Sequence, residues 1–144
     1  MKITRLNLES NDYEVGKIMD DNGIERLAQI YVKIAEAKTQ EDRNRISDKD
    51  LDEDLYKLDK IRFESPKELW KIILRVHELT DDPEALSFLA ADILEDLLAQ
   101  FPYQSIEWVE EQAKNDPRFR KLIYGVWQNY MPDDVWERLQ KLKG

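Results

Sequence analysis

A chain of 144 residues with a net charge of −9 can form one domain around one hydrophobic core. Its carboxylate excess argues against nucleic acid and anionic membrane surfaces as partners, because both require neutralisation by Lys and Arg. The lack of cysteine excludes disulfides, cysteine-ligated zinc and thiol catalysis, and four Gly and five Pro are too few for a turn-rich all-β fold.

The opening MKITRLNLES has no apolar run of the signal-peptide kind, and no stretch approaches the roughly 20 apolar residues of a membrane span. A cytoplasmic protein is therefore expected. Ile3, Leu6 and Leu8 suit a short strand or an extended arm over residues 1–20.

From there helical periodicity dominates. Ile24, Leu27, Ala28, Tyr31, Ile34 and Ala35 recur at three and four, which predicts a helix over about 23–38 starting at Asn22-Gly23. TQEDRNRIS reads as a charged connection. Leu51, Leu55, Leu58 and Ile61 form the next stripe. At Ser65-Pro66 the serine is placed to cap, the proline to open the helix, and Glu68 to close a capping box. Leu69, Trp70, Ile73, Leu74 and His77 share one face of that helix.

Asp82-Pro83 repeats the signal. Leu86, Leu89, Ile93 and Leu97, with Ala90, Leu94 and Leu98, make this helix apolar over much of its circumference and predict a central position. Pro102 is expected to end it. Ser105 is expected to cap a short helix bearing Ile106, Val109 and Ala113. Asp116-Pro117 starts another, with Phe119, Leu122, Ile123, Val126 and Trp127 inward. The last starts at Pro132-Asp133, with Val135, Trp136, Leu139 and Leu142. The fold class expected is all-α: one domain, 1–144, of about six to seven helices in antiparallel hairpins, a solenoid-like stack being one way to arrange them. Its parts are the arm (1–20), N-terminal helices (22–64) and a helical core (65–144).

No catalytic signature stands out. The acids Asp48, Asp50, Asp52, Glu53 and Asp54 suggest a calcium loop, but Glu53 stands where such a loop needs glycine and Asp59 where it needs a bidentate glutamate. They read instead as a helix exterior, a secondary surface for a basic partner. His77 is the single histidine and reads as a packed core-edge residue. Neither metal nor cofactor is expected.

The charge order is sharper. Residues 78–113 contain no Lys or Arg, and their ten acids are Glu78, Asp81, Asp82, Glu84, Asp92, Glu95, Asp96, Glu107, Glu110 and Glu111. Lys114, Arg118, Arg120 and Lys121 follow at once. Two readings stand side by side: the bases fold back, Arg118 or Arg120 pairing with Glu95 or Asp96, or the acids form an anionic face. Trp108, off its helix's apolar stripe and beside Glu107 and Glu110, suits an exposed anchor.

LAADILEDLLAQF (89–101), NDPRFRKLIYGVW (115–127) and the final Asp-Val-Trp (134–136) together resemble an uncharacterised bacterial family of small all-α domains over about residues 66–137. Leu94, Glu95, Asp96, Leu97, Leu98, Pro117, Phe119, Arg120, Val126 and Trp127 match its pattern. Asp92-Ile93 stand where that pattern has Gly-Pro, so the usual cause of a helix break is missing. The resemblance implies a bacterial helical domain with a polar core of Glu95 or Asp96 and Arg120, and the family has no established activity to carry over.

The expectation is a non-catalytic, protein-binding domain. In its fullest form it is a bacterial immunity protein of a contact-dependent competition system, covering the cationic groove of a nuclease-type toxin. Asp81, Asp82, Glu84, Asp92, Glu107, Glu110 and Glu111 would meet the toxin, with Trp108 as anchor. The alternatives are a helical adaptor and a hydrolase using Glu95 or Asp96 with His77.

Overall fold

Helix α1 (Asp21–Glu36) forms where Ile24, Leu27, Ala28 and Tyr31 bring one apolar stripe to the core. Asp20 starts it by accepting a hydrogen bond from the Gly23 amide at 2.8 Å. The structure, a computed structural model, describes residues 20–46 and 48–143, the side chains of 48–50 excepted. The arm or strand expected around Ile3, Leu6 and Leu8 lies outside the described residues.

The stretch expected as a charged connection contains a short helix, α2 (Gln40–Asn44). Thr39 and Asp42 form a reciprocal capping box, and none of the helix's residues is buried. Local capping, invisible to an apolar-periodicity argument, accounts for it. Helix α3 (Asp48–Glu64) buries Leu58 and Ile61. Only Ser65 separates it from α4 (Pro66–Leu79). Pro66 occupies the first helical position, but Ser65 makes no side-chain cap bond and no capping box closes on Glu68. The Ser65 backbone serves both helices instead: its amide donates to Ile61 at 2.9 Å and its carbonyl accepts from Leu69 at 3.0 Å.

Asp82 caps the next segment through the Ala85 amide at 3.2 Å. A continuous rod then runs through α5 (Pro83–Leu89), a π turn (Ala90–Leu94) and α6 (Glu95–Gln100). It is the central element expected: Leu89, Ala90, Ile93, Leu94, Leu97 and Leu98 are fully buried. Asp92-Ile93 do not break the helix, and the chain passes through in the wider i→i+5 form.

Pro102 opens the following helix, α7 (Pro102–Asn115), one residue after the rod ends. Ser105 therefore lies inside α7 rather than at its cap. It is buried, and its hydroxyl donates to the Phe101 carbonyl at 2.7 Å. Asp116 caps α8 (Pro117–Ile123) through the Arg118 and Phe119 amides at 3.1 and 3.2 Å. A loop leads to α9 (Asp133–Leu142), which buries Val135 and Leu139.

Among the described residues the helical rods number eight, seven of them at least seven residues long, with no strand. Helix packing is antiparallel in general around a core running from Ile24 to Leu139, while α1 on α4 and α7 on α9 run in the same sense: Glu25 meets Arg75 and Glu36 meets Thr80, Tyr103 meets Asp134 and Glu110 meets Arg138. Among the same residues no helix is long and apolar enough to cross a membrane.

Gly125 shows how tightly the rod is covered. A β-carbon there would lie 2.9 Å from the Ala90 β-carbon, at the start of the π turn. Gly125→Ala is expected to lower stability by about 1–3 kcal/mol, read from the urea midpoint, because the clash is with a helix β-carbon and not a flexible tip. Unchanged stability would show that the loop does not sit against the rod.

Candidate functional site

The π turn is where polar chemistry converges. Asp92 lies within it and Asp96 four residues on, so both carboxylates face α3. Arg62 of α3 reaches both through Nη1, at 2.9 Å to Asp92 and 2.8 Å to Asp96. The Tyr31 hydroxyl of α1 donates to Asp92 at 2.8 Å. Three separate elements thus meet at one guanidinium and two carboxylates.

Arg62 is placed by the apolar stripe of α3, one residue past Ile61 and four past Leu58. Its Nε is buried without a hydrogen bond, 3.9 Å from Asp59. Burial works against its charge, but the Asp92 and Asp96 carboxylates more than offset this and hold Arg62 above its ordinary value. Burial, then the Asp92 charge, pushes the Tyr31 hydroxyl up, keeping it a proton donor. These charge-assisted bonds fix the carboxylates in place, which suits positioning better than proton transfer.

Glu95 points about 100° round the rod from Asp96, toward the loop that follows α8. It accepts from the Trp127 amide at 3.0 Å and from the Asn129 side chain. The two ends of the quoted pattern, Leu94–Leu98 and Val126-Trp127, therefore meet through this carboxylate. Val126 and Met131 are buried, whereas Trp127, expected inward, is 67% exposed. Helix α8 ends at Ile123, and the turn at Gly125 rotates Trp127 off the inward stripe.

The other expected site residues divide. Asp82 holds Lys38 at 2.9 Å, Asp81 holds Arg118 at 3.0 Å, Glu110 holds Arg138 at 2.5 Å, and Glu78 lies 3.7 Å from Arg75. Asp92 is turned into the Arg62 cluster and is not a free surface acid. Glu84, Glu107 and Glu111 are exposed. Trp108 is not the exposed anchor expected: it stacks on Trp70 at 6.2 Å and packs against the core. Of the secondary acids, Asp52 and Glu53 are exposed, and Asp48 and Asp50 have side chains outside the described residues. Asp54 is buried, 2% exposed, against Arg26 at 3.1 Å.

Neither Arg118 nor Arg120 pairs with Glu95 or Asp96. Helix α8 lies across the ends of α4 and α7, and both arginines satisfy carbonyls that a helix end leaves open. Arg118 donates to His77 and Thr80 carbonyls at 2.5 Å, and Arg120 to the Ala113 carbonyl at 3.0 Å. His77 is buried, edge-on to Phe119 at 5.4 Å, with Nε2 3.1 Å from Arg118. The hydrolase reading needs Glu95 or Asp96 on this ring, and both acids are bonded elsewhere.

Sequence reasoning missed Arg62 and Tyr31. The signal was present: each is a polar-tipped side chain on a stripe of buried residues, which obliges it to find a partner inside.

Fold and site define an all-α domain whose central helix carries a π turn clamped by a carboxylate–guanidinium cluster. The chain belongs to a family of unknown function, DUF6869, whose model matches residues 41–144. That match starts well before the 66–137 of the resemblance and takes in α3, and hence Arg62. No curated protein and no solved structure matches the chain.

Arg62→Met keeps the apolar stem but leaves two carboxylates facing one another. It is expected to cost about 2–3 kcal/mol in urea unfolding, against about 1 kcal/mol for Tyr31→Phe. Wild-type stability in Arg62→Met would mean that the cluster holds nothing. Burial, then the Arg118 charge, lowers His77 below its ordinary 6.5. The unfolded chain then binds the proton more readily, so this contribution is full above pH 6.5 and is lost as pH falls below it. Urea midpoints should fall between about pH 7 and 5, and less so in His77→Gln; equal pH slopes would contradict this.

Proposed function

We propose that this chain is a non-catalytic domain that binds a basic protein partner. The fullest form of the reading is a cytoplasmic bacterial immunity protein that neutralises a cationic, nuclease-type toxin; the bacterial setting comes from the family resemblance. The observation that carries it is what remains after internal pairing. Glu84, Glu107 and Glu111 stay exposed, as does Asp52, on a chain of net charge −9; Glu53 is exposed too but lies 3.6 Å from Lys57. Such a field accelerates encounter with a basic surface, and carboxylates there can stand in for phosphates. The exposed aromatics Tyr56, Phe63, Trp127 and Tyr130 favour a second reading, a helical adaptor.

The test is charge reversal at acids that hold nothing together. Immobilised wild-type chain should retain a basic protein from the native host, released by salt. The triple variant Glu84→Lys, Glu107→Lys, Glu111→Lys should bind it at least about tenfold more weakly, mainly through slower association. Equal retention of the same protein would refute the acidic-surface reading.

A further inference from the structure

The exposed rings are concentrated around the clamped rod. Arg62 binds Asp92 and Asp96, and the next residue of α3, Phe63, is 57% exposed. Glu95 binds the backbone of Trp127. Phe63 and Trp127 therefore stand on the two flanks of the rod at the level of Glu95 and Asp96. Phe88, also exposed, precedes Asp92 by four residues on the rod and stacks on Tyr31 at 5.6 Å. Tyr130, in the same loop as Trp127, is 94% exposed.

This loop is held. Val126 and Met131 anchor it in the core, Glu95 fixes its middle, and Asn129 takes φ 43°, a left-handed conformation that asparagine tolerates best after glycine. Elsewhere the chain seats its own Lys143 over Trp136 at 4.9 Å and Tyr124 at 5.8 Å. Among the described residues no such cation or ring covers Trp127 or Tyr130. Around the ridge, Asp59, Asp92 and Asp96 share the single guanidinium of Arg62, and Glu95, on the other flank, is bonded only to the neutral Trp127 amide and Asn129 side chain.

We propose that this ridge, from Phe63 across Glu95 to Trp127, anchors an arginine- or lysine-bearing segment of the protein partner. A cation lies against the Trp127 ring with its charge toward Glu95. Cation–π contact and carboxylate excess select the same ligand, and a loop fixed in advance lowers the ordering cost of binding it. A second copy of the chain is disfavoured by the like net charge of −9, and an anionic membrane by the same sign. The π turn beneath the ridge is the kind of helix irregularity that recurs at functional sites. The inference rests on the basic-partner reading and adds the place where the partner is gripped.

The probe is a short peptide of alternating arginine and glycine, with a glutamine-for-arginine control, titrated into the ¹⁵N-labelled chain. The indole N–H resonances of the four tryptophans report separately, Trp127 being assigned by Trp127→Ala. The arginine peptide should shift the Trp127 indole and the amides of 124–131, and the control should not. Trp127→Ala should weaken peptide binding about tenfold, with its Tm unchanged because the ring is exposed. Shifts confined to Glu107 and Glu111 would overturn the ridge while leaving the basic-partner reading standing. No response to the arginine peptide anywhere would count against both. A Trp127 shift driven by protein concentration alone, or by anionic vesicles and not by the peptide, would also overturn the proposal.

Discussion

Two carboxylates four residues apart on one helix cannot both turn inward unless something neutralises them together. Arg62 does this for Asp92 and Asp96, and Tyr31 takes a remaining oxygen of Asp92. Because these partners sit on α3 and α1, the cluster fixes where both helices lie against the rod. Removing one partner leaves charge without compensation in a half-buried place, which costs more than the intact cluster contributes. Glu95, one step round the helix, ties down the loop on the other flank. One short segment, Ala90–Asp96, thus sets the position of three other parts of the molecule.

The same segment changes what the acidic run means. Read as a string of charges, residues 78–113 look like a single anionic face. In the fold most of their partners come from distant parts of the chain, Lys38, Arg62, Arg118 and Arg138, and only Arg75 lies one helical turn before its partner Glu78. In the binding mode proposed above, surface attraction is left to Glu84, Glu107 and Glu111, while Glu95 and Asp96 contribute to a ridge whose rings give it grip. Long-range steering and short-range anchoring would then fall to different residues and respond differently to salt.

Much of the helical plan was legible because apolar periodicity and Asp-Pro starts are local. The caps at Asp82 and Asp116, the buried stripe of α1 and the central place of the rod needed no tertiary information. What escaped depended on how elements meet. Ser65 and Ser105 fall where helices join without a loop, so neither acts as a cap. Trp127 continues the α8 stripe in sequence but lies beyond the turn at Gly125, and Trp108 finds Trp70 across the core. Arg118 and Arg120 looked like counter-ions for Glu95 or Asp96, yet both reach open carbonyls at the ends of α4 and α7, and the acid that Arg118 pairs with is Asp81. Arg62 went unremarked because a lone arginine on a charged helix shows its role only when Asp92 and Asp96, thirty and more residues away, arrive beside it.

The central claim is that Glu95 and the clamped rod hold the loop carrying Trp127 in one conformation. Amide hydrogen exchange at Trp127 tests it most directly, since that amide lies outside any helix and donates to Glu95. The amide should be protected in the wild-type chain and exchange about tenfold faster or more in Glu95→Ala, the loss expected for a hydrogen bond to a charged acceptor. An unprotected Trp127 amide in the wild type, or protection unchanged by Glu95→Ala, would contradict it.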